Sequence, residues 1–189
     1  MAAREFAVMF VCTGNICRSP LAEQLLTAGM RANLQNDVVV TSAGLQTIDG
    51  VPMDPLSAQQ SVLYGGDPSN AISHKVDRES SLRQDLILTM TRKHQTDIVS
   101  RYPNLLKRTF LLREFAEIVE VLHTDSEADT RVNERRRRIV VQAAMMRGQL
   151  TRGSIDFDII DPYRKSVEVH ATVGESIHRA TSTLAELFR

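Results

Sequence analysis

Val11-Cys12-Thr13-Gly14-Asn15-Ile16-Cys17-Arg18-Ser19-Pro20 is the stretch that decides the fold of this 189-residue chain. The apolar run Phe6-Ala7-Val8-Met9-Phe10 precedes it and the amphipathic run Leu21 to Met30 follows. That context reads as strand, tight loop, helix. A cysteine at the end of a strand, then five residues and an arginine, describes a cradle for an oxyanion with a nucleophile at its base. Loop N–H groups and the positive end of the helix dipole supply the donors and the field. Gly14 is expected to take a backbone angle closed to other residues, and Asn15 to tolerate the left-handed region. Ser19 as N-cap and Pro20 at the first helical position set the expected helix start. Arg18 can give two parallel N–H groups to two phosphate oxygens.

Cys12 would then lie beneath a bound phosphorus. A helix N-terminus and a nearby guanidinium lower a thiol from about 8.5 to roughly 3.5–7.5, so a thiolate forms without a separate base. The Ser19 hydroxyl can donate to that sulfur. The implied chemistry is phosphate-monoester cleavage through a phospho-cysteine intermediate. A Cys-x5-Arg spacing alone is weak. Here the strand, the loop residues and the helix start agree across levels.

Outward from this loop, strand and helix patterns alternate. Phe6–Val11 reads as a buried strand and Leu21–Leu34 as a helix with Leu21, Leu25, Leu26 and Met30 inward. Val38–Thr41 is a short strand ending at Ser42-Ala43-Gly44, and a helix follows Pro55 to about Tyr64. Asp85–Met90 is a third strand, Arg92–Arg101 a helix and Thr109–Leu112 a fourth strand. Val169, Val173, Ile177, Ala180, Leu184 and Phe188 mark one face of a C-terminal helix that closes the sheet. The alternation implies an α/β fold with parallel strands and helical crossovers, whose ligands bind at the carboxyl ends of the strands.

Residues 117–153 break the rhythm and read as a charged helical insertion in a single domain spanning 1–189. Its expected form is a long, partly exposed helix or a mobile excursion, with the roles of shielding the site or carrying an interface. Arg135-Arg136-Arg137-Arg138 reads as a solvated face paired with Glu134, or as a dock for an acidic partner.

The composition is that of a soluble globular chain: 42% hydrophobic and 24% charged, with Lys+Arg and Asp+Glu both 23. A balance of zero gives no pull toward nucleic acid, so an anion site must be local. No apolar run is long enough to span a bilayer, and the N-terminus runs into the first strand without a signal segment. A cytoplasmic location is the expectation. Two cysteines cannot build a disulfide scaffold, and His74, His94, His123, His170 and His178 are scattered away from metal-ligand spacing with them. Cys17 reads either as a small apolar filler or as a partner that traps oxidised Cys12 as a disulfide.

Asp161-Pro162-Tyr163 supplies what the loop lacks. An alkoxide or phenoxide leaving group calls for a general acid, and Asp161 is the best candidate, with Asp156 and Asp158 as fallbacks. Close to a phosphate dianion and a thiolate its carboxyl would tend to hold its proton. Tyr163 would form an aromatic wall.

With these residues the chain resembles the low-molecular-weight protein tyrosine phosphatases. The likeness lies in Val11 to Pro20, Thr41-Ser42-Ala43-Gly44, Asp85–His94 and Asp161-Pro162-Tyr163. It implies a four-stranded parallel open sheet flanked by helices, no metal or cofactor, and a phosphorylated protein as substrate. By the same likeness Cys12 is the nucleophile, Arg18 binds phosphate and the transition state, and Asp161 is general acid and base. Thr13, Gly14, Asn15, Ile16, Cys17 and Ser19 bind phosphate and shape the loop, with Ser42 in support.

The chain departs from the family in the insertion, and at 46–55, where many relatives place an aromatic and this chain has Ile48. Arsenate reductases that use thioredoxin need further cysteines, which are lacking; a reductase using a low-molecular-weight thiol remains open. Protein arginine phosphatases resemble the loop but tend to carry threonine where this chain has Ile16. A phosphate-dependent binding module without turnover is the non-enzyme alternative.

Overall fold

The computed structural model describes residues 4–33, 37–122, 132–150 and 156–189. Leu34, His123 and residues 123–131 and 151–153 of the insertion therefore lie outside the described residues. Four strands form one parallel sheet in the order β2-β1-β3-β4: β1 Phe6–Cys12, β2 Val38–Gly44, β3 Leu86–Thr89 and β4 Thr109–Leu111.

The central strands β1 and β3 are nearly continuous buried apolar runs because both faces are covered, while the first half of edge strand β2 is partly exposed. Along β1 the two-residue alternation sends Phe6, Val8, Phe10 and Cys12 to one face and Met9 and Val11 to the other. The first face packs on α1 (Arg18–Ala32), α5 (Leu112–Val121) and α7 (Val167–Leu187), through Leu26, Phe115, Ile177 and Leu184. The second face carries Ile87, Ile98 and Leu105, with α4 (Arg92–Arg101) on this side. Two more helices are short: α2 (Pro55–Leu63), with Asp54 as N-cap and Pro55 at its start, and α3 (Arg78–Arg83), which the sequence reading did not foresee.

β2 runs three residues further than expected. Gly44 pairs with Cys12, so the strand reaches the mouth of the phosphate loop. A Cβ on Gly44 would lie 2.8 Å from Thr47 Cγ2 and 2.9 Å from the Thr13 carbonyl oxygen. Glycine is what allows the two segments to touch. The C-terminal helix closes the sheet as expected: Val173, Ile177, Ala180, Leu184 and Phe188 are buried, Val169 is half-buried, and the Phe188 ring lies 5.3 Å from that of Phe6.

The described part of the insertion is a helix, α6 (Val132–Leu150), while residues 117–121 belong to the core helix α5. The arginine run is not a solvated face. Arg136 is fully buried and donates to the Phe188 carbonyl, to Asn133 Oδ1 and to Asp37. Arg137 pairs with Asp85 and donates to the Glu5 carbonyl, and Arg135 donates to the Leu187 carbonyl. These acceptors lie where the backbone has run out of ladder and helix partners, so cations satisfy them. Further along, the Arg147 guanidinium sits 3.9 Å over the Phe110 ring and 3.6 Å from buried Glu114. The anchored face of α6 thus meets the amino ends of β1 and β3 and the β4 edge.

Candidate active site

At the carboxyl end of β1 the chain turns into α1 through residues 13–17. The turn is closed by its own carbonyls. Cys12 O accepts from Leu45 N (3.0 Å), Thr13 O from Gln46 N (2.9 Å) and Ile16 O from Asp54 N (2.7 Å). Each carbonyl is antiparallel to the next N–H across a planar peptide. With these three carbonyls engaged, the N–H groups of Thr13, Gly14 and Cys17 point away from Leu45, Gln46 and Asp54.

Asn15, at φ 53°, is the loop residue in the left-handed region. Gly14 is not in that region, contrary to expectation. A Cβ there would meet Ile16 Cγ1 at an ordinary 3.6 Å, while Gly14 itself lines the cleft. Its small size therefore serves the cleft and not the turn. The helix also starts earlier than expected. α1 begins at Arg18 behind Cys17, with no side-chain cap, so its first N–H groups remain free at the cradle floor.

Ser19 is not the cap because its hydroxyl is used elsewhere. Ser42 Oγ donates to Glu23 Oε2 (2.6 Å) and accepts from Asn15 Nδ2 (2.8 Å). Asn15 Nδ2 also donates to Ser19 Oγ (2.9 Å), and Asn15 Oδ1 accepts from His74 N (2.7 Å). Ser19 Oγ lies 2.9 Å from Cys12 Sγ. Every earlier link has a fixed direction, so the Ser19 proton is left to point at the sulfur. Asn15 N donates to the same sulfur (3.2 Å). Burial raises the Glu23 carboxyl above its ordinary range, and the Ser42 hydrogen bond opposes that rise.

Arg18 is buried beside this sulfur-centred network. It pairs with Asp161 Oδ2 at 2.8 Å and donates to the Ile159 carbonyl at 3.1 Å, while its buried Nε has no hydrogen-bond partner among the described residues. Asp161 Oδ1 accepts from Tyr163 N (3.2 Å), so both carboxylate oxygens are held. The fallback acids have structural duties: Asp158 Oδ1 accepts from Arg92 N at the start of α4 (2.7 Å), and Asp156 Oδ1 from Asp158 N (2.9 Å).

Cys12, Thr13, Gly14, Ile16, Cys17, Arg18, Asp161 and Tyr163 line one cleft of about 690 Å³, walled further by Leu45, Ile48, Val51 and Lys75. Asn15, Ser19 and Ser42 stand behind it. All the residues singled out from the sequence are therefore brought together. Cys17 is a free thiol pushed up to about 12, first by burial and further by Asp54 and Cys12, against a hydrogen bond from Ser57.

His94 was missed. Its Nε2 lies 2.9 Å from Thr13 Oγ1, and burial, followed by the Arg18 charge, lowers it to about 4, so it is neutral near pH 7. Its place just inside a Thr91-capped helix is legible in the sequence, but nothing there links it to Thr13. Among the described residues no group of three or more His, Cys, Asp or Glu could hold a metal ion.

Residues 7–128 match the family described as low molecular weight phosphotyrosine protein phosphatase. The chain belongs to this family. The phosphatase is 28% identical over 172 residues to the probable low molecular weight protein-tyrosine-phosphatase EpsP of Ralstonia nicotianae, covering 91% of this chain and 88% of that one. It is 33% identical over 122 residues to the Escherichia coli K12 phosphatase Etp, covering 64% and 79%. Among solved structures, the low molecular weight protein tyrosine phosphatase from T. tengcongensis superposes with a TM-score of 0.71 at 26% identity over 97% of this chain and 99% of that one. The YwlE arginine phosphatase from Geobacillus stearothermophilus shares the fold at TM-score 0.69 and 24% identity, covering 96% and 92%. The enzyme is thus a cysteine-dependent phosphatase of α/β fold. No described helix is long and apolar enough to cross a membrane.

Proposed function

We propose that the phosphatase hydrolyses phosphotyrosine on protein substrates, with 1–189 acting as one domain and Cys12, Arg18 and Asp161 as its catalytic residues. The observation that carries this reading is the meeting of Cys12, Arg18 and Asp161 in a single cleft, with Ser19 Oγ behind it against Cys12 Sγ. A phosphate dianion takes the Arg18 donors and the loop N–H groups. Asp161, released from Arg18, carries a proton to the leaving oxygen as the S–P bond forms and the P–O bond breaks. In the second step Asp161 accepts a proton from water, the new P–O bond forms, and the S–P electrons return to Cys12. The Ser19 hydroxyl stabilises that thiolate.

Ile48 and Tyr163, both lining the cleft, offer apolar surface to an aryl ester. Apolar Ile16 in the cradle supports tyrosine over arginine. A cytoplasmic setting follows from the need to keep Cys12 reduced. The insertion exposes Val141 and Met145 one turn apart, the place we assign to a protein partner. Photo-cross-linking from position 145 that traps no other protein in cell extract would remove that assignment.

The main test is metal-free turnover of para-nitrophenyl phosphate at pH 5–7. Cys12→Ser should abolish it. Asp161→Asn should slow alkyl or aryl esters with poor leaving groups by about 10²–10⁴-fold. A panel of phosphotyrosyl and phosphoarginyl peptides, and arsenate with a small thiol, then decides the substrate. Preferred turnover of phosphoarginine or arsenate would replace the tyrosine reading.

A further inference from the structure

Lys75 has no role in the chemistry above, yet its place is built with care. Residues 74–76 lie alongside Gly44: Gly44 N donates to His74 O (2.8 Å) and Val76 N donates to Gly44 O (2.9 Å). Lys75 forms a parallel bridge with Gly44, and its N–H donates to Asp49 Oδ1 at 2.6 Å. The backbone under the side chain is thus pinned on two sides. Lys75 lines the cleft, as do Gln46, Thr47 and Ile48 of the segment that follows Gly44.

The charges around the cleft are unequal. Arg18 and Asp161 lie within 2.8 Å and offset each other. Asp49 has one oxygen engaged by the Lys75 N–H. Lys75 is exposed and forms no ion pair among the described residues. A second cation, the Arg164 guanidinium, lies 5.1 Å from the ring centroid of Tyr163, another lining residue. A phosphoryl group seated on the loop therefore leaves the Lys75 ammonium beside whatever flanks the phosphorylated residue.

We propose that Lys75 is a specificity-determining residue: it selects phosphorylated segments with a carboxylate beside the phosphorylated side chain. The proposal rests on the phosphatase reading and narrows its substrate class to acidic phosphopeptides. An exposed ion pair of this kind is worth about a two- to fivefold preference. It is screened by salt, because the Debye length falls to about 3 Å at 1 M.

The test is the ratio of kcat/KM for two phosphotyrosyl peptides that differ only by Glu or Gln at the flanking positions. The intact enzyme should prefer the Glu peptide about two- to fivefold at low salt. The ratio should approach one at 1 M salt and in Lys75→Gln, and should invert in Lys75→Glu. Using a ratio cancels any general loss of activity. Affinities of Cys12→Ser for the same peptides read the preference without turnover. Equal affinities for the Glu and Gln peptides, or a preference that survives Lys75→Gln, would overturn the proposal. Failure of the intact enzyme to turn over para-nitrophenyl phosphate would instead overturn the catalytic reading.

Discussion

Asn15 joins loop shape to proton direction. Its left-handed backbone turns the cradle, and its amide forces the Ser19 hydroxyl toward Cys12. A hydrogen bond to a charged group contributes about 1.5–3 kcal/mol. Ser19→Ala should therefore lower kcat by about 10–100-fold. Single-turnover kinetics would assign the loss to a chemical step, and an unchanged rate would remove Ser19 from the sulfur's support. His94 yields a prediction on stability. Its pKa falls from 6.5 to about 4 on folding. As pH drops through about 6.5 the unfolded chain takes up a proton that the folded chain refuses until about 4. The stabilisation present above pH 6.5 is thus lost across that window. Melting curves of the intact enzyme should fall toward those of His94→Gln between pH 6.5 and 4, and parallel curves would refute this. Asn15, Ser19 and Cys12 were legible because they lie within eight residues of one another. His94 was not, since it lies 81 residues from Thr13 in the chain.

At the scale of elements, β2 and the phosphate loop are built as a pair. The register Cys12 to Gly44 puts strand end against loop, and only a glycine leaves room. Gly44→Ala must push Thr47 or the Thr13 carbonyl aside. A shift of about 1 Å in a catalytic constellation costs about 10²-fold in rate. We expect kcat/KM for para-nitrophenyl phosphate to fall by about tenfold or more, with far-UV circular dichroism unchanged. Full activity would mean that the loop tolerates the shift. The helix start belongs to this scale too. Ser19-Pro20 reads locally as cap and first turn, but α1 begins at Arg18 because Ser19 is drawn to the sulfur by Asn15. Local capping rules lose here to a buried polar network.

Across the whole molecule, the described start of the insertion is anchored at the end of the sheet away from the site. Arg136 ties α6 to the end of α7 and to Asp37, at the amino end of the strands. Arg136→Ala leaves the Phe188 carbonyl without its buried donor, while half-exposed Asp37 can turn to water. A cost of about 1–3 kcal/mol follows, or roughly 2–12 °C in Tm for a chain of this size. The kcat/KM for para-nitrophenyl phosphate should stay within about twofold of the intact enzyme. A large loss of activity at an unchanged Tm would show that the insertion couples to the site. What the sequence by itself determined was the alternation of apolar strands and amphipathic helices, the strand-loop-helix run from Cys12 to Arg18, and Asp161 as the acid proposed to complete it. These rest on short-range pattern: side-chain period, loop chemistry and helix polarity operate over a few residues. Only the tertiary structure decided that four arginines read as a solvated run include a fully buried one, that Ser19 abandons the helix cap, and that His94 and Lys75 reach the loop and the cleft. Each of those outcomes depends on a partner tens of residues away, and burial decides which polar group must find one.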